Sequence, residues 1–265
     1  MKACPMADPS GNAVEPVPAA ATVTEDRLLG GRVLLRQPAE GYRAAIDPVL
    51  LAAAVPAGAG ETVLDLGCGV GAASLCLLAR VGGVRVVGLE LQSGLALLAR
   101  DNAEANGVAD RLDIVEGDVA APPAPLDGCR FDHVMINPPY LPEGGFTAAP
   151  NRSKALANQE SGIGLAAWID AAWRFLVPKG RLTIIHRADR VDLLCGLLRP
   201  RFGGVEIVPL WPRAGRPARR AIVRARRDVR TAASLLPGIV LHGPDGRFTA
   251  EAEAVLRDAA ALPGS

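Results

Sequence analysis

Short apolar runs alternate with longer helical segments through most of the chain. The runs have the length and the β-branched content of buried strands, and they lie at residues 62–66, 84–90, 112–115, 131–136 and 181–186. Between and after them, segments of helical length lie at residues 72–81, 93–106, 168–176 and 191–198. Strands that alternate with helices in this way predict an α/β fold with a parallel, doubly wound sheet.

The two ends of this pattern differ from its centre. Two further strands, 205–210 and 220–225, have no helix between them, which predicts an antiparallel hairpin at one edge of the sheet. Outside these elements we expect a strand at 32–37, a helix at 49–55, a late strand at 239–242 and a last helix at 250–260. Residues 1–23 are rich in Pro and Ala without periodicity and predict a disordered tail, so residues 24–262 are expected to form one domain.

The composition and the cysteine pattern indicate the class of protein and the cell compartment to expect. Apolar residues make up 49% of the 265 residues and charged residues 22%, as in globular proteins. No apolar run approaches the roughly 18–20 residues of a membrane span, and no secretory signal is evident. The five cysteines form no CxxC or Cys/His cluster, which predicts a reducing compartment and no metal site. We therefore expect a cytoplasmic protein, and the sequence does not indicate its oligomeric state.

The charge of the chain is uneven although its net value is only +1. Residues 211–230 hold eight arginines and a single acid, Asp228, so this segment carries +7. The arginines are Arg213, Arg216, Arg219, Arg220, Arg224, Arg226, Arg227 and Arg230. The concentration of cations indicates either a surface for an anionic partner or a solvated edge strand that avoids sheet-to-sheet pairing.

A glycine-rich turn joins the first central strand to its helix. The turn reads Asp65-Leu-Gly67-Cys-Gly69-Val-Gly71, and its glycines allow the backbone to turn sharply and approach a ligand closely. Its spacing is GxGxG, whereas dinucleotide binders need GxGxxG. Two acids, Glu90 and Asp118, end the next two strands, where carboxylates can accept hydrogen bonds from a ribose and from an adenine amino group. A tight strand–helix turn without a ligand is the alternative.

Together the turn and the acids resemble the cofactor loop of class I methyltransferases, which bind S-adenosylmethionine (SAM). The resemblance implies a Rossmann-like fold with a seven-stranded, mostly parallel sheet and an antiparallel edge hairpin. It also implies that Asp65, Gly67, Gly69 and Gly71 lie near the methionine end of SAM. By the same resemblance Glu90 holds the ribose and Asp118 the adenine.

The tetrapeptide Asn137-Pro138-Pro139-Tyr140 follows the fourth central strand. We expect it to bind the group that accepts the methyl. An exocyclic amine or a carboxamide nitrogen is a poor nucleophile because its lone pair is delocalised. The side-chain oxygen of Asn137 and the carbonyl of Pro138 can accept its hydrogens and direct that lone pair, while Tyr140 offers a ring for stacking. Such a site works by positioning and electrostatics, so it requires no metal. A proline-stopped strand whose Tyr caps the core is the alternative.

The tetrapeptide resembles the [DNS]-P-P-[YFW] motif of amino-methyltransferases. These enzymes act on adenine or guanine in nucleic acids or on glutamine in release factors. The glutamine enzymes carry a helical domain before the SAM loop, and only about 40 ordered residues precede Thr62 here. A protein or small-molecule N-methyltransferase stays an alternative, as does a SAM-binding module without catalysis.

Two further segments resemble bacterial adenine-N6 methyltransferases of valine tRNA. These are residues 42–51, YRAAIDPVLL, and residues 240–249, VLHGPDGRFT. The first implies that Asp47 contacts SAM, although Asp47 can equally act as the N-cap of a helix that begins at Pro48. The resemblance implies SAM-dependent adenine-N6 methylation of tRNA.

A tRNA substrate requires cations beside the acceptor site. The link between the two hairpin strands should leave the sheet at its carboxyl end, which is the active-site side. We expect nucleic-acid contacts from Arg152, Lys154, Arg213, Arg216, Arg219 and Arg220.

Overall fold

The computed structural model describes residues 22–40, 43–139 and 164–262. The predicted tail, residues 1–23, lies outside these ranges except for its last two residues. Tyr42, Tyr140, Arg152 and Lys154 also lie outside the described residues.

Nine of the described strands form the central sheet. They are β3 (Thr62–Leu66), β4 (Arg85–Glu90), β5 (Leu112–Glu116), β6 (Phe131–Ile136), β7 (Leu176–Arg187), β8 (Phe202–Arg213), β9 (Arg220–Arg227), β10 (Ser234–Leu235) and β11 (Ile239–His242). Their order is β10-β8-β9-β7-β6-β3-β4-β5, and β11 also pairs with β8. Every pairing is parallel except those of β9 with β7 and with β8.

The predicted Rossmann-like, mostly parallel sheet and its antiparallel hairpin are confirmed. The described sheet has nine strands rather than the seven predicted, because β10 and β11 also join it through β8. Strand β9 lies between β7 and β8 rather than at an edge, and β10 and β11 cover the outer side of β8. The arginines of β9 therefore do not form a solvated edge strand. The strand at 239–242 is confirmed as β11, whereas β10 has only two residues, and no local sequence pattern indicates that either strand pairs with β8.

Helices cover both faces of the sheet. They are α1 (Ile46–Ala54), α2 (Ala72–Arg80), α3 (Ser93–Ala105), α4 (Leu165–Phe175), α5 (Val191–Leu198) and α6 (Ala250–Asp258). One buried cluster joins α1, α2, α3 and α6 to one face, and a second joins α4 and α5 to the other. This arrangement leaves the carboxyl ends of the parallel strands as the edge where loops can build a site.

A separate hairpin of β1 (Val23–Leu28) and β2 (Val33–Pro38) precedes the sheet. It docks through two asparagines of α3, Asn102 and Asn106, whose side-chain amides bind the backbone of β2 as a neighbouring strand would. Asn106 accepts from the Leu34 N–H (2.8 Å) and donates to the Leu34 carbonyl (2.7 Å). Asn102 makes the same two bonds to Arg36, at 2.8 and 2.9 Å.

The boundaries of several elements differ from the prediction. Helix α1 begins at Ile46, with Ala45 as its N-cap, so Asp47 lies in the first turn and does not cap the helix. Strand β1 was not predicted, because its sequence VTEDRL is mostly polar. Strands β7 and β8 each extend to 12 residues, beyond the apolar cores that predicted them.

Candidate active site

The ends of four parallel strands meet at the carboxyl edge of the sheet. In the backbone register, Leu66 of β3 pairs with Leu89 of β4 on one side and with Ile136 of β6 on the other. The residues that follow Leu66 and Ile136 are Gly67 and Asn137, so the glycine loop and the tetrapeptide leave the sheet at the same level on neighbouring strands. Neighbouring strands are about 4.8 Å apart, which places the predicted cofactor and acceptor residues side by side.

The glycine loop is held against β4 by its own backbone. The N–H groups of Gly67 and Cys68 both donate to the Leu89 carbonyl, at 2.8 and 3.1 Å. Gly67, Gly69 and Gly71 have φ values of +67°, +57° and +83°, a region that side chains with a Cβ rarely adopt. The loop conformation thus explains why glycine occupies these three positions.

Glu90 is an acid that hydrogen-bonds directly to the backbone of the glycine loop. Its carboxylate accepts from the Gly69 N–H (2.8 Å) and from the Gln92 N–H (2.9 Å), one on each oxygen. The side chain is 6% exposed, and burial raises its pKa above the ordinary value, while the backbone bonds oppose the rise. A carboxylate has about four acceptor positions, so Glu90 keeps capacity for ribose hydroxyls. These remaining acceptor positions fit the predicted role of Glu90, which is to bind the ribose of SAM.

Asp65 lies beneath the loop and is 2% exposed. Its Oδ2 accepts from the Ser74 hydroxyl at 2.7 Å, which ties β3 to the first turn of α2. Burial raises the pKa of Asp65 to about 7, with a further rise from the nearby charge of Glu90, and the Ser74 bond opposes both. Asp65 and Glu90 are therefore two buried, mutually interacting acids beneath the glycine loop, and burial favours the protonated form of each.

Asp118 lies two residues beyond β5, and it is half-buried. Its Oδ1 accepts from the Ala120 N–H at 2.8 Å and shapes the turn that follows the strand. The Gly117 N–H donates to the Glu90 carbonyl at 2.9 Å, so this turn is fastened to the end of β4. Asp118 is therefore held at the same edge as Glu90.

Asn137, Pro138 and Pro139 follow β6 directly, with Asn137 half-buried and Pro138 buried. The next residue of the tetrapeptide, Tyr140, lies outside the described residues, so its predicted stacking role stays a prediction. The prolines end the strand and fix the direction of the backbone. The structure brings together Asn137 and the glycine loop as the sequence predicts.

Trp168 of α4 is a site-supporting residue that the sequence did not reveal. It is 6% exposed, and its ring lies against Gly67 so closely that a Cβ on Gly67 would come within 2.7 Å of the ring. The sequence offers no signal for this contact, because a Trp in an amphipathic helix is expected to pack in the core in any case.

Asn102 is a second residue missed by the sequence. Besides its bonds to β2, its Nδ2 donates to the carbonyl of Val70 in the glycine loop at 3.0 Å. The side chain is fully buried. One amide thus connects the N-terminal hairpin to the cofactor loop.

Asp47 and Arg220, which were predicted to contact SAM and RNA respectively, form an ion pair. The distance from Arg220 Nε to the Asp47 carboxylate is 3.0 Å, with side-chain exposures of 35% and 17%. The pair connects α1 to the start of β9 at the carboxyl edge. Part of the charge of each residue is therefore engaged within the protein.

The other arginines of the hairpin turn are solvent-exposed. Arg213, Arg216 and Arg219 lie around the link between β8 and β9, at the carboxyl edge that holds the glycine loop. Arg152 and Lys154 lie outside the described residues. Within the described ranges no group of three metal-binding side chains occurs, and no helix there is both long and apolar enough to cross a membrane.

Comparisons with known proteins agree with this geometry. A family model described as "Methyltransferase small domain" matches residues 45–208, more than half of the chain. A Dickeya chrysanthemi protein named tRNA1(Val) (adenine(37)-N6)-methyltransferase is 29% identical over 218 residues, which are 80% of this chain and 85% of that protein. A Porphyromonas gingivalis protein of the same name is 35% identical over 155 residues, 56% of this chain and 60% of that protein.

Solved structures show the same fold. A protein from Agrobacterium tumefaciens, described as a predicted O-methyltransferase, has a TM-score of 0.67 and 27% identity, and the match covers 82% of this chain and 97% of that one. A Thermus thermophilus 16S rRNA N2 G1207 methyltransferase in complex with AdoMet and guanosine has a TM-score of 0.55 and 23% identity. That match covers 80% of this chain and 52% of the rRNA enzyme.

Proposed function

The chain belongs to the methyltransferase small domain family, and from this premise we propose that it methylates the N6 amine of an adenine in tRNA. It is a SAM-dependent methyltransferase. The observation that carries the proposal is the position of Asn137, which leaves β6 beside the glycine loop with two prolines behind it. An amide acceptor at this place suits a planar amine better than a hydroxyl.

The residues of the chain would act mainly by positioning. When bound, SAM supplies an electrophilic methyl group on a sulfonium. The Asn137 side-chain oxygen and the Pro138 carbonyl would accept the two hydrogens of the adenine amine, which aims the nitrogen lone pair. Tyr140 would stack on the base. Glu90 would hold the ribose of SAM and Asp118 its adenine, with Asp65 and the three glycines near the methionine end.

The substrate class rests on two supports. Relatives from several bacteria carry the name tRNA1(Val) (adenine(37)-N6)-methyltransferase, and the Dickeya protein aligns over 85% of its length. The exposed Arg213, Arg216 and Arg219 border the same edge as Asn137, where they could bind phosphates. Arg152, Lys154 and, in part, Arg220 would add to this surface.

The direct test is methyl transfer to separated pools. The protein is incubated with labelled SAM and with RNA, DNA and protein fractions from a cell that lacks the enzyme, followed by nucleoside analysis. We expect label as N6-methyladenosine in tRNA. Label on glutamine in the protein pool would favour a protein methyltransferase, and absence of label from every pool would favour a SAM-binding module.

Asn137→Ala tests the role of the tetrapeptide. Because Asn137 should contact the acceptor and not SAM, transfer is expected to fall about 100-fold or more while the Kd for SAM changes less than about twofold. Calorimetric titration with SAM measures the second quantity. A loss of SAM affinity equal to the loss of activity would remove Asn137 from the acceptor site.

Arg216→Glu combined with Arg219→Glu tests the RNA surface. Reversal of two exposed charges should raise the KM for tRNA and leave the KM for SAM unchanged. Unchanged kinetics with tRNA would exclude these arginines from substrate binding.

A further inference from the structure

The arginine-rich segment 211–230 is divided between two opposite edges of the sheet. Arg213, Arg216 and Arg219 lie at the carboxyl edge with the active site, whereas Arg226 and Arg230 lie at the amino edge, because β9 runs antiparallel to β7 and β8. Strand β9 has eight residues, so its ends are about 24 Å apart. The active site accounts for only the first group.

Two exposed arginines face each other at the amino edge. In the antiparallel register of β7 and β9, Arg181 is directly opposite Arg226, and both side chains are exposed. Like charges in this position repel each other and destabilise the sheet. In the described part of the chain, neither arginine has an acidic partner within ion-pair distance.

The other end of the same ladder provides an internal comparison. There Arg187 of β7 is opposite Arg220 of β9, again an arginine pair. Each of these has an acid: Asp189 bonds to Arg187, and Asp47 pairs with Arg220 at 3.0 Å. The fold therefore neutralises the arginine pair at the carboxyl edge with its own carboxylates and leaves the amino-edge pair uncompensated.

Acids near the amino edge have other partners. Asp132, which precedes the β6 register partner of Arg181, accepts from the Thr62 N–H and hydroxyl at 2.9 Å each. Asp170 pairs with Arg201, Asp228 with Arg227, Glu206 with the buried Arg224, and Glu61 with His133. Two more exposed cations adjoin the arginine pair: Lys179 lies two residues before Arg181, and the Arg230 backbone lies beside Gly203, the β8 partner of Arg226. Lys179, Arg181, Arg226 and Arg230 constitute the amino-edge cluster.

We propose that the amino-edge cluster binds the phosphate backbone of the RNA substrate away from the modified base. This inference rests on the proposed function. Guanidinium groups match phosphate oxygens in geometry, and phosphates would remove the repulsion between Arg181 and Arg226. A folded RNA is long enough to reach across the sheet from the carboxyl edge, and one bound at both edges would be oriented before its base enters the site.

The test uses Arg181→Gln with Arg226→Gln in the full-length enzyme, with an unmodified valine tRNA transcript as the probe. The matched control, Arg27→Gln with Arg257→Gln, removes two other exposed arginines and gives the same net charge. We expect the first double variant to raise the KM for the transcript about three- to tenfold and the control to change it less than twofold. The KM for SAM should stay unchanged in both.

The salt dependence of RNA binding identifies phosphate contacts. The slope of log Kobs against log salt concentration is negative for RNA binding. Loss of two phosphate contacts should make it less steep by about 1.5 to 2. Because the two arginines repel each other, the double variant should melt at the same temperature as the natural protein or higher.

The outcomes separate this inference from the proposed function. A natural protein that transfers no methyl group to RNA would overturn both. Normal tRNA methylation with an unchanged salt slope in the Arg181/Arg226 variant would overturn the amino-edge inference alone. An equal loss in the two double variants would also overturn it, because bulk charge would then explain the effect. A reduced melting temperature with altered SAM kinetics would assign the two arginines a structural role instead.

Discussion

Gly67 is the residue of the glycine loop with the least room for change. Both its φ of +67° and the Trp168 ring exclude a side chain, whereas Gly69 has a similar φ of +57° but no described atom within 4 Å of where its Cβ would be. The two glycines therefore separate backbone strain from steric conflict. In the sequence both residues are glycines of one motif, so the sequence alone does not show which of them tolerates substitution less well.

Gly67→Ala should destabilise the protein more than Gly69→Ala does. Both variants carry the left-handed strain of about 1–2 kcal/mol, and only Gly67→Ala adds an overpacking cost of about 1–3 kcal/mol against Trp168. Urea denaturation measures the two free energies of unfolding. Trp168→Phe, which shortens the ring, should recover part of the loss in Gly67→Ala and none in Gly69→Ala. Equal losses in the two glycine variants would contradict the Trp168 contact.

Asp65 should make the free energy of unfolding depend on pH. Its pKa is about 7 in the folded protein, against an ordinary value of 3.8 for an aspartate in water, so between these pH values the folded state holds a proton that the unfolded state has released. Stability from Asp65 is then fully present below about pH 4 and is lost as pH rises towards 7. The difference between 3.8 and about 7 corresponds to about 4 kcal/mol of unfolding free energy.

Asp65→Asn removes this dependence while its amide oxygen can still accept from Ser74. We expect the variant to be more stable than the natural protein at pH 8 and about equal to it near pH 4. Denaturation curves at several pH values between 4 and 8 measure the difference. Parallel pH profiles for the two proteins would show that Asp65 is already charged in the folded state.

At the scale of elements, α3 is the connection between the N-terminal hairpin and the glycine loop. Asn102 and Asn106 are four residues apart on α3, and they bind Leu34 and Arg36, two residues apart on β2. Four residues span about 6 Å along a helix, and two residues span about 7 Å along a strand. The two asparagines are therefore spaced to bind alternate residues of β2. Of the two asparagines, only Asn102 also donates a hydrogen bond to the glycine loop, at the Val70 carbonyl.

Asn102→Ala and Asn106→Ala should therefore differ in their effect on the cofactor. Both variants lose two bonds to β2 and should lose about 1–3 kcal/mol of stability. Asn102→Ala also leaves the Val70 carbonyl without its partner, so we expect a several-fold rise in the Kd for SAM in this variant. Calorimetry with SAM and thermal melting measure both effects. Equal SAM affinities at equal stability would limit Asn102 to docking the hairpin.

The sequence predicted the elements best where apolar runs are buried on both faces. Strands β3 to β6 and helices α2 and α3 were located within one or two residues, because a parallel strand is a short apolar run with a clear end. Strand β1 is half-exposed and polar, and its partner is reached only through the turn at residues 29–31, so no local signal marks it.

The scale of the whole molecule shows what motifs could and could not predict about the site. The loop glycines, Glu90 and Asn137 are expected to lie together because the carboxyl ends of parallel strands share one edge. The register places their strand ends side by side, and their binding roles stay predictions. The ion pair of Asp47 with Arg220 joins residues 173 positions apart and was not predictable. The same holds for Trp168 against Gly67 and for Asn102 against Val70. Each of these contacts depends on packing between elements, which a single sequence does not encode in a local pattern.

The position of β9 between β7 and β8 has a consequence for synthesis on the ribosome. Strand β8 leaves the ribosome before β9, yet its native place is one strand away from β7, with β9 between them. Until β9 has emerged, β7 and β8 each present an open edge of hydrogen-bonding groups, which can pair with other nascent chains. The growing protein therefore depends on β9 to join β8 to β7, and its open strand edges can mispair in the interval between the synthesis of β8 and that of β9.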